Sequence, residues 1–476
     1  MRTDAPPPDF ERACTAAVSD LLRGWELPAD DLVQRLRLAG EPPAYDTPHQ
    51  IVLASTAALA AQALAAVAFA QESGAEPQDV SIDLVQAAAG LCTVRYQHLN
   101  GYHLPQLPDQ EFRGGFYETR DGRQFYPIGP YPHLRNGILE LLDCSNSRPA
   151  IARAIGRHDA EALDELFARH GLPGAYVRTR EEWLAHPQGA LLAATPVVRI
   201  ERTGSGTRPP RPRTDGLPLS GIRVLDASHV IAGPVAARTL ASQGAQVLRV
   251  SAPHQPDPAE QILDTGIGKR SAHLDLRLAT DRERLDALCR TADVFVQSWR
   301  PGAMARLGLA AEDLAQRHPG IVYVSASAYG QEGPWAGRGG FEQVGQVVTG
   351  LTHTESRGGA PRMVPTFLLN DYLTAYLAAA GAAVALRLRA RDGGSYHVSV
   401  SLARTSMWVQ ELGQQPVPRD AQDAFALRPR MESRPTPFGR LDHVPPIAQF
   451  SRTPARWDFP PTPLGAQPAT WPGEPA

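Results

Sequence analysis

The chain has 476 residues, and 47 Lys plus Arg against 50 Asp plus Glu leave a formal charge of −3. That balance excludes a nucleic-acid protein held by bulk positive charge. With 43% hydrophobic and 20% charged residues the chain is not mainly disordered, and its length suggests two or three domains.

The polar, proline-rich start, MRTDAPPPDFERA, lacks the apolar core of a signal peptide. The four cysteines, Cys14, Cys92, Cys144 and Cys289, form no CxxC pair. Neither a zinc knuckle nor a disulfide framework is indicated, and a reducing cytosol is expected. Residues 52–70, VLASTAALAAQALAAVAFA, are mostly alanine and include Ser55, Thr56 and Gln62. A membrane span needs about 20 strongly apolar residues, so a buried helix is expected instead. A strand follows at 80–84, which closes an N-terminal helical segment over residues 1–85. Residues 117–122 end in a turn-forming Asp-Gly and 123–128 resume as a strand, the pattern of a hairpin. Helices are expected at 136–142, 160–170 and 181–186, giving a small α+β domain over 86–202. Residues 203–217, TGSGTRPPRPRTDGL, have no apolar periodicity and read as a solvated linker.

Beyond the linker, strand and helix alternate. Strands are expected at 222–225, 246–250, 294–296 and 321–325, and helices at 235–243, 282–291 and 311–317. Such alternation predicts an α/β domain, a parallel sheet covered on both faces, over 218–405. Ligands on such sheets sit beyond the carboxyl ends of the strands. Residues 406–476 read as a C-terminal extended arm, rich in proline and carrying Trp457 and Trp471.

The chain also echoes itself at an offset of 318. Thr56, Ala57, Ala60, Ala61 and Ala65 match Thr374, Ala375, Ala378, Ala379 and Ala383, and Val80, Ser81 and Leu84 match Val398, Ser399 and Leu402. Two alanine-rich helices can match by composition alone, but the ungapped strand favours a remnant duplication. Asp371 corresponds to Leu53, so the first copy lacks the carboxylate.

Familiar signatures fail. Gly268-Lys269 has no glycine five residues earlier, as a P-loop requires, and no GxGxxG follows a strand. The 14 histidines show no HExxH, so no metal is expected. What remains is a series of punctuated segments: LSGIRVLDASHVIAGP (219–234), GKRSAHLDLR (268–277), ADVFVQSWRPGAMARLGL (292–309), SASAYGQEGPWAGRGGFEQVGQ (325–346) and FLLNDYLTAYLAAAGAAVALRLRARDGGSYHVSVSL (367–402). In the first, the small Ala232-Gly233 pair suits a backbone that approaches a ligand. In the second, Lys269, the one lysine of the chain, stands with Arg270 and Arg277 where cations could face phosphates.

These five blocks, in order and spacing, resemble the family III CoA-transferases, the CaiB/BaiF type. The resemblance implies a Rossmann-like CoA-binding domain, a smaller domain, and a homodimer whose two chains interlock like links. It implies no tightly bound cofactor, with coenzyme A as co-substrate and an acyl-CoA and a small organic acid as partners, and neither nucleic acid nor membrane. Asp371 stands where the family carries its catalytic carboxylate, ahead of an alanine-rich helix and a VSVSL strand. An Asp there is also an ordinary helix N-cap. With an unperturbed pKa near ~3.9 it would be anionic at neutral pH. The resemblance implies CoA contacts at Val230, Ala232, Leu274, Arg277, Trp299 and Arg306. By itself Trp299 reads better as a core aromatic, and Arg277 and Arg306 read also as solvated arginines. Ser251 and Ala252 replace an acid and a base common in the family after the second strand.

The first half resembles the family's small domain in FYETRDGRQFYPIG (116–129) and HGLPGAYVRTREEWLAHPQG (170–189). It precedes the Rossmann-like half rather than following it, so the order is permuted or the chain is a truncated tandem. The family's glycine-rich gating loop has no convincing counterpart, although Arg113-Gly114-Gly115 is near. The expected activity is CoA transfer through an aspartyl-CoA thioester. The alternatives are a degenerate CoA-binding paralogue and an α-methylacyl-CoA racemase, for which Phe341 stands where a histidine base is needed.

Overall fold

The computed structural model describes residues 5–104, 112, 114–208 and 215–474. Its largest sheet has seven strands in the spatial order Lys269–His273, Gln246–Ser251, Arg223–Asp226, Val294–Gln297, Val322–Ser327, Ser395–Ser401 and Arg199–Gly204. The first six are parallel and run 3-2-1-4-5-6 in chain order, the Rossmann arrangement. The seventh pairs antiparallel at the edge. Alternation explains the burial of both faces: Val224, Val294 and Val322 enter one apolar core, Leu225, Phe295 and Tyr323 the other.

Three sequence expectations change here. Residues 199–204, divided between the small domain and the linker, are a strand of the large sheet. Just after it, the Arg208 guanidinium donates to the carbonyls of Cys289, Ala292 and Pro319, so this stretch is docked and not a solvated tether. Residues 209–214 of that segment lie outside the described residues. The helix Leu402–Glu411 crosses the expected boundary at 405.

Lys269 is the largest correction. It opens a strand and is buried, and its Nζ donates to Asp226 Oδ2 and to the carbonyl oxygen of Pro234, each at 2.6 Å. It therefore fastens the sheet to the helix Ala232–Ser242 and faces no phosphate. Burial pulls its ammonium down to about 8 against the attraction of Asp226. Gly233, too, has an internal reason: a Cβ there would lie 2.4 Å from Ser228 Cβ and 3.1 Å from Ser298 Cβ.

The N-terminal region shares the core of this sheet. Helix Ile51–Glu72 is buried along nearly its whole length and packs on helix Asn370–Asp392. Both pass the length and composition test for a membrane span, yet the apolar windows are 100% and 78% buried. The echo continues in the fold. Helix 51–72 leads to strand Val80–Asp83 and helix Leu84–Ala89, as helix 370–392 leads to strand 395–401 and helix 402–411. Even the caps correspond: Asp83 accepts the amides of Val85 and Gln86, and Ser401, 318 positions on, accepts that of Arg404.

Residues 117–176 form a smaller α+β unit. Strands Tyr117–Glu118, Gln124–Pro127 and Gly174–Tyr176 make an antiparallel sheet, and the hairpin is as expected. Helices Pro132–Leu141, Arg148–Ile155 and Ala160–Arg169 bury Ile138, Ile151, Leu163 and Phe167 against Phe125. The C-terminal residues add a hairpin, Glu432–Thr436 with Gly439–His443, and a two-residue strand, Gln449–Phe450, before running extended. Trp457 Nε1 donates to Arg238 O and Trp471 Nε1 to Leu288 O, which pins this arm to the large sheet's helices.

Lys269→Ala leaves the Asp226 carboxylate buried without its cation and should cost about 3–5 kcal/mol in chemical denaturation. The Asp226→Leu/Lys269→Met pair should recover most of that loss.

Candidate active site

Strand order reverses between Arg223–Asp226 and Val294–Gln297, and the loops after these two strands part there. His229 N donates to Ser298 Oγ at 3.0 Å and Ser298 Oγ donates to His229 O at 2.9 Å, so the loops are bolted together. Val230 is held at φ +68°, a conformation that costs a β-branched residue on the order of 1–3 kcal/mol. Its amide donates to Asp257 Oδ1 at 3.2 Å. Asp257 is buried, pairs with Arg249, and accepts the Tyr131 hydroxyl at 2.8 Å. One carboxylate thus joins the strained loop, the second strand and the small unit.

A cavity of about 340 Å³ opens at this point. Val230, Ala232, Trp299, Arg306 and Asp371 all line it, with Phe341 and Tyr131. A second cavity, of about 290 Å³, shares Asp371, Val230, Tyr131 and Phe341 with the first. A third, of about 180 Å³, shares Trp299 and His229 with the first and is lined by Leu274, Arg277, Ser251 and Ala252. The seven residues singled out in the sequence therefore all line these three cavities, which share wall residues: Leu274 and Arg277 line the third, and Asp371 lines both of the others. Gly114 lines the second cavity, and Arg113 lies outside the described residues.

Trp299 fits both of its sequence readings. Its ring packs on the second core and lies 4.1 Å from the His229 ring, its Nε1 donates to Ala227 O at 2.8 Å, and it still walls two cavities. Arg277 is exposed and already engaged: it donates to Asp275 and holds that carboxyl down to about 2. Arg306 is exposed, with no ion pair among the described residues.

Asp371 departs from expectation. The N-cap of helix Asn370–Asp392 is Leu369, which has no capping side chain, so Asp371 is not the cap. The cap comes from elsewhere in the chain. Glu342, the first residue of helix Glu342–Val348, places Oε2 2.6 Å from the Asp371 amide, which donates to it. Gln346 Nε2 donates to the other oxygen, Oε1, at 2.7 Å. This arrangement supplies an acceptor to a helix start that otherwise has none.

The consequence is electrostatic. Asp371 is only 6% exposed and has no side-chain hydrogen bond among the described residues. Burial first, and then the neighbouring Glu342 charge, raise its pKa well above the usual carboxylate range. The unperturbed value expected from sequence is therefore corrected. Sequence reasoning missed Glu342, although an acid directly after a glycine-rich loop was visible. Tyr131 and Asp257 were missed as well, and nothing local marks them.

The cleft lies at the switch point of a Rossmann-like sheet, the place where ligands of such sheets bind, and a buried aspartate at a helix start lines it. Residues 219–423 match the model of CoA-transferase family III. An acetyl-coenzyme A transferase of Hypoxylon pulicicidum is 31% identical over 62% of this chain and 53% of its own length. An acyl-CoA transferase of Gibberella moniliformis is 34% identical over 54% of this chain and 48% of its own. A crystal structure of a hypothetical protein from Mycobacterium tuberculosis is 32% identical, covering 42% of this chain and 58% of that one with a TM-score of 0.38. The chain spans about half the length of the curated relatives it matches.

Glu342→Gln keeps an oxygen for the Asp371 amide but removes the charge. The Asp371 carboxyl should then titrate at lower pH, read by carbon-13 NMR of aspartate-labelled protein. An unmoved titration would assign the whole rise to burial.

Proposed function

We propose that the chain transfers CoA from an acyl-CoA thioester to a carboxylic acid, with Asp371 as the covalent nucleophile. The observation that carries this reading is the position of Asp371, buried where the cavity of Val230, Ala232, Trp299 and Arg306 meets a second one. In the reading, adenine lies against Trp299 and Leu274, and the phosphates reach Arg277 and Arg306. The pantetheine arm follows the Val230–Ala232 backbone to Asp371.

The Asp371 carboxylate attacks the thioester carbonyl; the C–S bond breaks and CoA leaves as thiolate, giving a mixed anhydride. The thiolate attacks the Asp371 carbonyl of that anhydride, releases the donor acid as carboxylate and leaves an aspartyl-CoA thioester. The acceptor carboxylate attacks this thioester, releasing thiolate and forming a second anhydride. Thiolate attack on the acceptor carbonyl then yields the new acyl-CoA and restores the Asp371 carboxylate.

The surroundings support each demand of this sequence. The first step uses the anion, so activity should fall as pH drops through the raised Asp371 pKa. A carboxylate with few hydrogen bonds is poorly solvated and correspondingly nucleophilic. Burial keeps water from the anhydrides. The free amides at the start of helix Ala232–Ser242, whose N-cap Ile231 has no capping side chain, offer donors beside the same cavity. Phe341 lines both cavities that meet at Asp371, so the position where a racemase needs its histidine holds no base.

Asp371→Asn should lower turnover by more than about a thousandfold while CoA still binds. Hydroxylamine added during turnover with an acyl-CoA should leave a hydroxamate on Asp371 alone. Undiminished turnover in Asp371→Asn would end the reading. Exchange of the α-proton into deuterated solvent with no hydroxamate would instead favour racemase chemistry.

A further inference from the structure

We propose that the second cavity selects acids that carry a second carboxylate, and that Arg95 is the group that recognises it. The proposal rests on the transferase reading, because it takes Asp371 as the point where the reacting carboxyl group arrives.

The cavity of about 290 Å³ begins at Asp371 and is walled largely by apolar side chains, among them Ile128, Phe341, Phe367 and Leu368. Arg95 lines it from the short helical turn Thr93–Tyr96. This is a half-buried arginine with no ion pair and no side-chain hydrogen bond among the described residues. Aromatic rings hold it in place: its guanidinium carbon lies 5.7 Å from the Phe367 ring centre and 5.1 Å from that of Phe425. Phe367 is itself fixed at φ +63°, an uncommon conformation for a bulky residue. The carbonyl oxygen of Arg95 accepts His103 Nε2 at 2.9 Å, which steadies the turn.

The remaining charged groups on the cavity wall are His103, Glu260, Glu342 and Asp371. Glu342 is committed to the Asp371 amide and Gln346, and Glu260 makes no ion pair with Arg95. Arg95 is thus the permanent cation of a mostly apolar space. Its planar fork, positioned by ring contacts and not by hydrogen bonds, keeps its donors for a ligand. A carboxylate answers that geometry with two parallel hydrogen bonds. The ligand class is therefore an acid with an apolar middle and a carboxyl group at each end, or its mono-CoA thioester. One end reacts at Asp371 and the other pairs with Arg95.

Succinate, glutarate and adipate, each against the monocarboxylate of equal carbon number, provide the test by calorimetry on the full chain. The wild type should bind one of the dicarboxylates about tenfold tighter than its monocarboxylate match, or more. Arg95→Met and Arg95→Gln should both lose the preference, and Arg95→Lys should keep part of it. Asp371→Asn, though inactive in transfer, should retain it. Equal binding of the two series by wild type, or a preference that survives both neutral variants, overturns the proposal. Transfer among monocarboxylates with no dicarboxylate preference would overturn it while leaving the transferase reading intact. A preference lost with Arg95 in a protein that forms no Asp371 hydroxamate would sink the transferase reading and leave the Arg95 site standing.

Discussion

The arrangement of the site depends on one hydrogen bond between residues 29 positions apart, from the Asp371 amide to the Glu342 carboxylate. It satisfies the start of a long buried helix, which Leu369 cannot do. It also fixes two acids in close proximity within a region that water barely reaches. The first effect is structural and the second is chemical, and neither can be had without the other. Capping Asp371 with Glu342 necessarily raises the cost of ionising Asp371.

A second carboxylate, Asp257, plays the corresponding part for the loops. Its bonds to the Val230 amide, the Tyr131 hydroxyl and Arg249 tie together three regions distant in sequence. Tyr131 belongs to the small unit, yet it lines the same cavities as Asp371. The first half of the chain therefore contributes walls to the site of the second half. The helix Ile51–Glu72 does the same for the core, where it packs against the Asp371 helix. Its Leu53, at the place corresponding to Asp371, is buried as an apolar residue should be.

Two of the buried cation–acid pairs show why charge alone is a poor guide to binding. Lys269 reads from sequence as a phosphate contact and is a core tie; Arg249 drew no notice and holds Asp257. Arg95, outside every block that carried the family resemblance, has no ion pair or side-chain hydrogen bond among the described residues and lines a cavity together with Asp371.

The sequence by itself determined what depends on local periodicity. The β-branched runs at 222–225 and 294–296, the alanine-rich helices and the Asp-Gly hairpin were legible because neighbouring residues decide them. The family resemblance carried by the block order pointed to Asp371 and to the six residues Val230, Ala232, Leu274, Arg277, Trp299 and Arg306, all of which line cavities that share wall residues. Only the tertiary structure decided the rest. The strands Lys269–His273 and Arg199–Gly204 carry Lys, Arg, Glu and Gly, and they are strands because a sheet edge lay ready to pair them. The ionisation of Asp371 could not be read from its flanking residues, since burial and a carboxylate from another helix set it. Electrostatic environment is a property of what surrounds a group in space, and sequence records only what adjoins it along the chain.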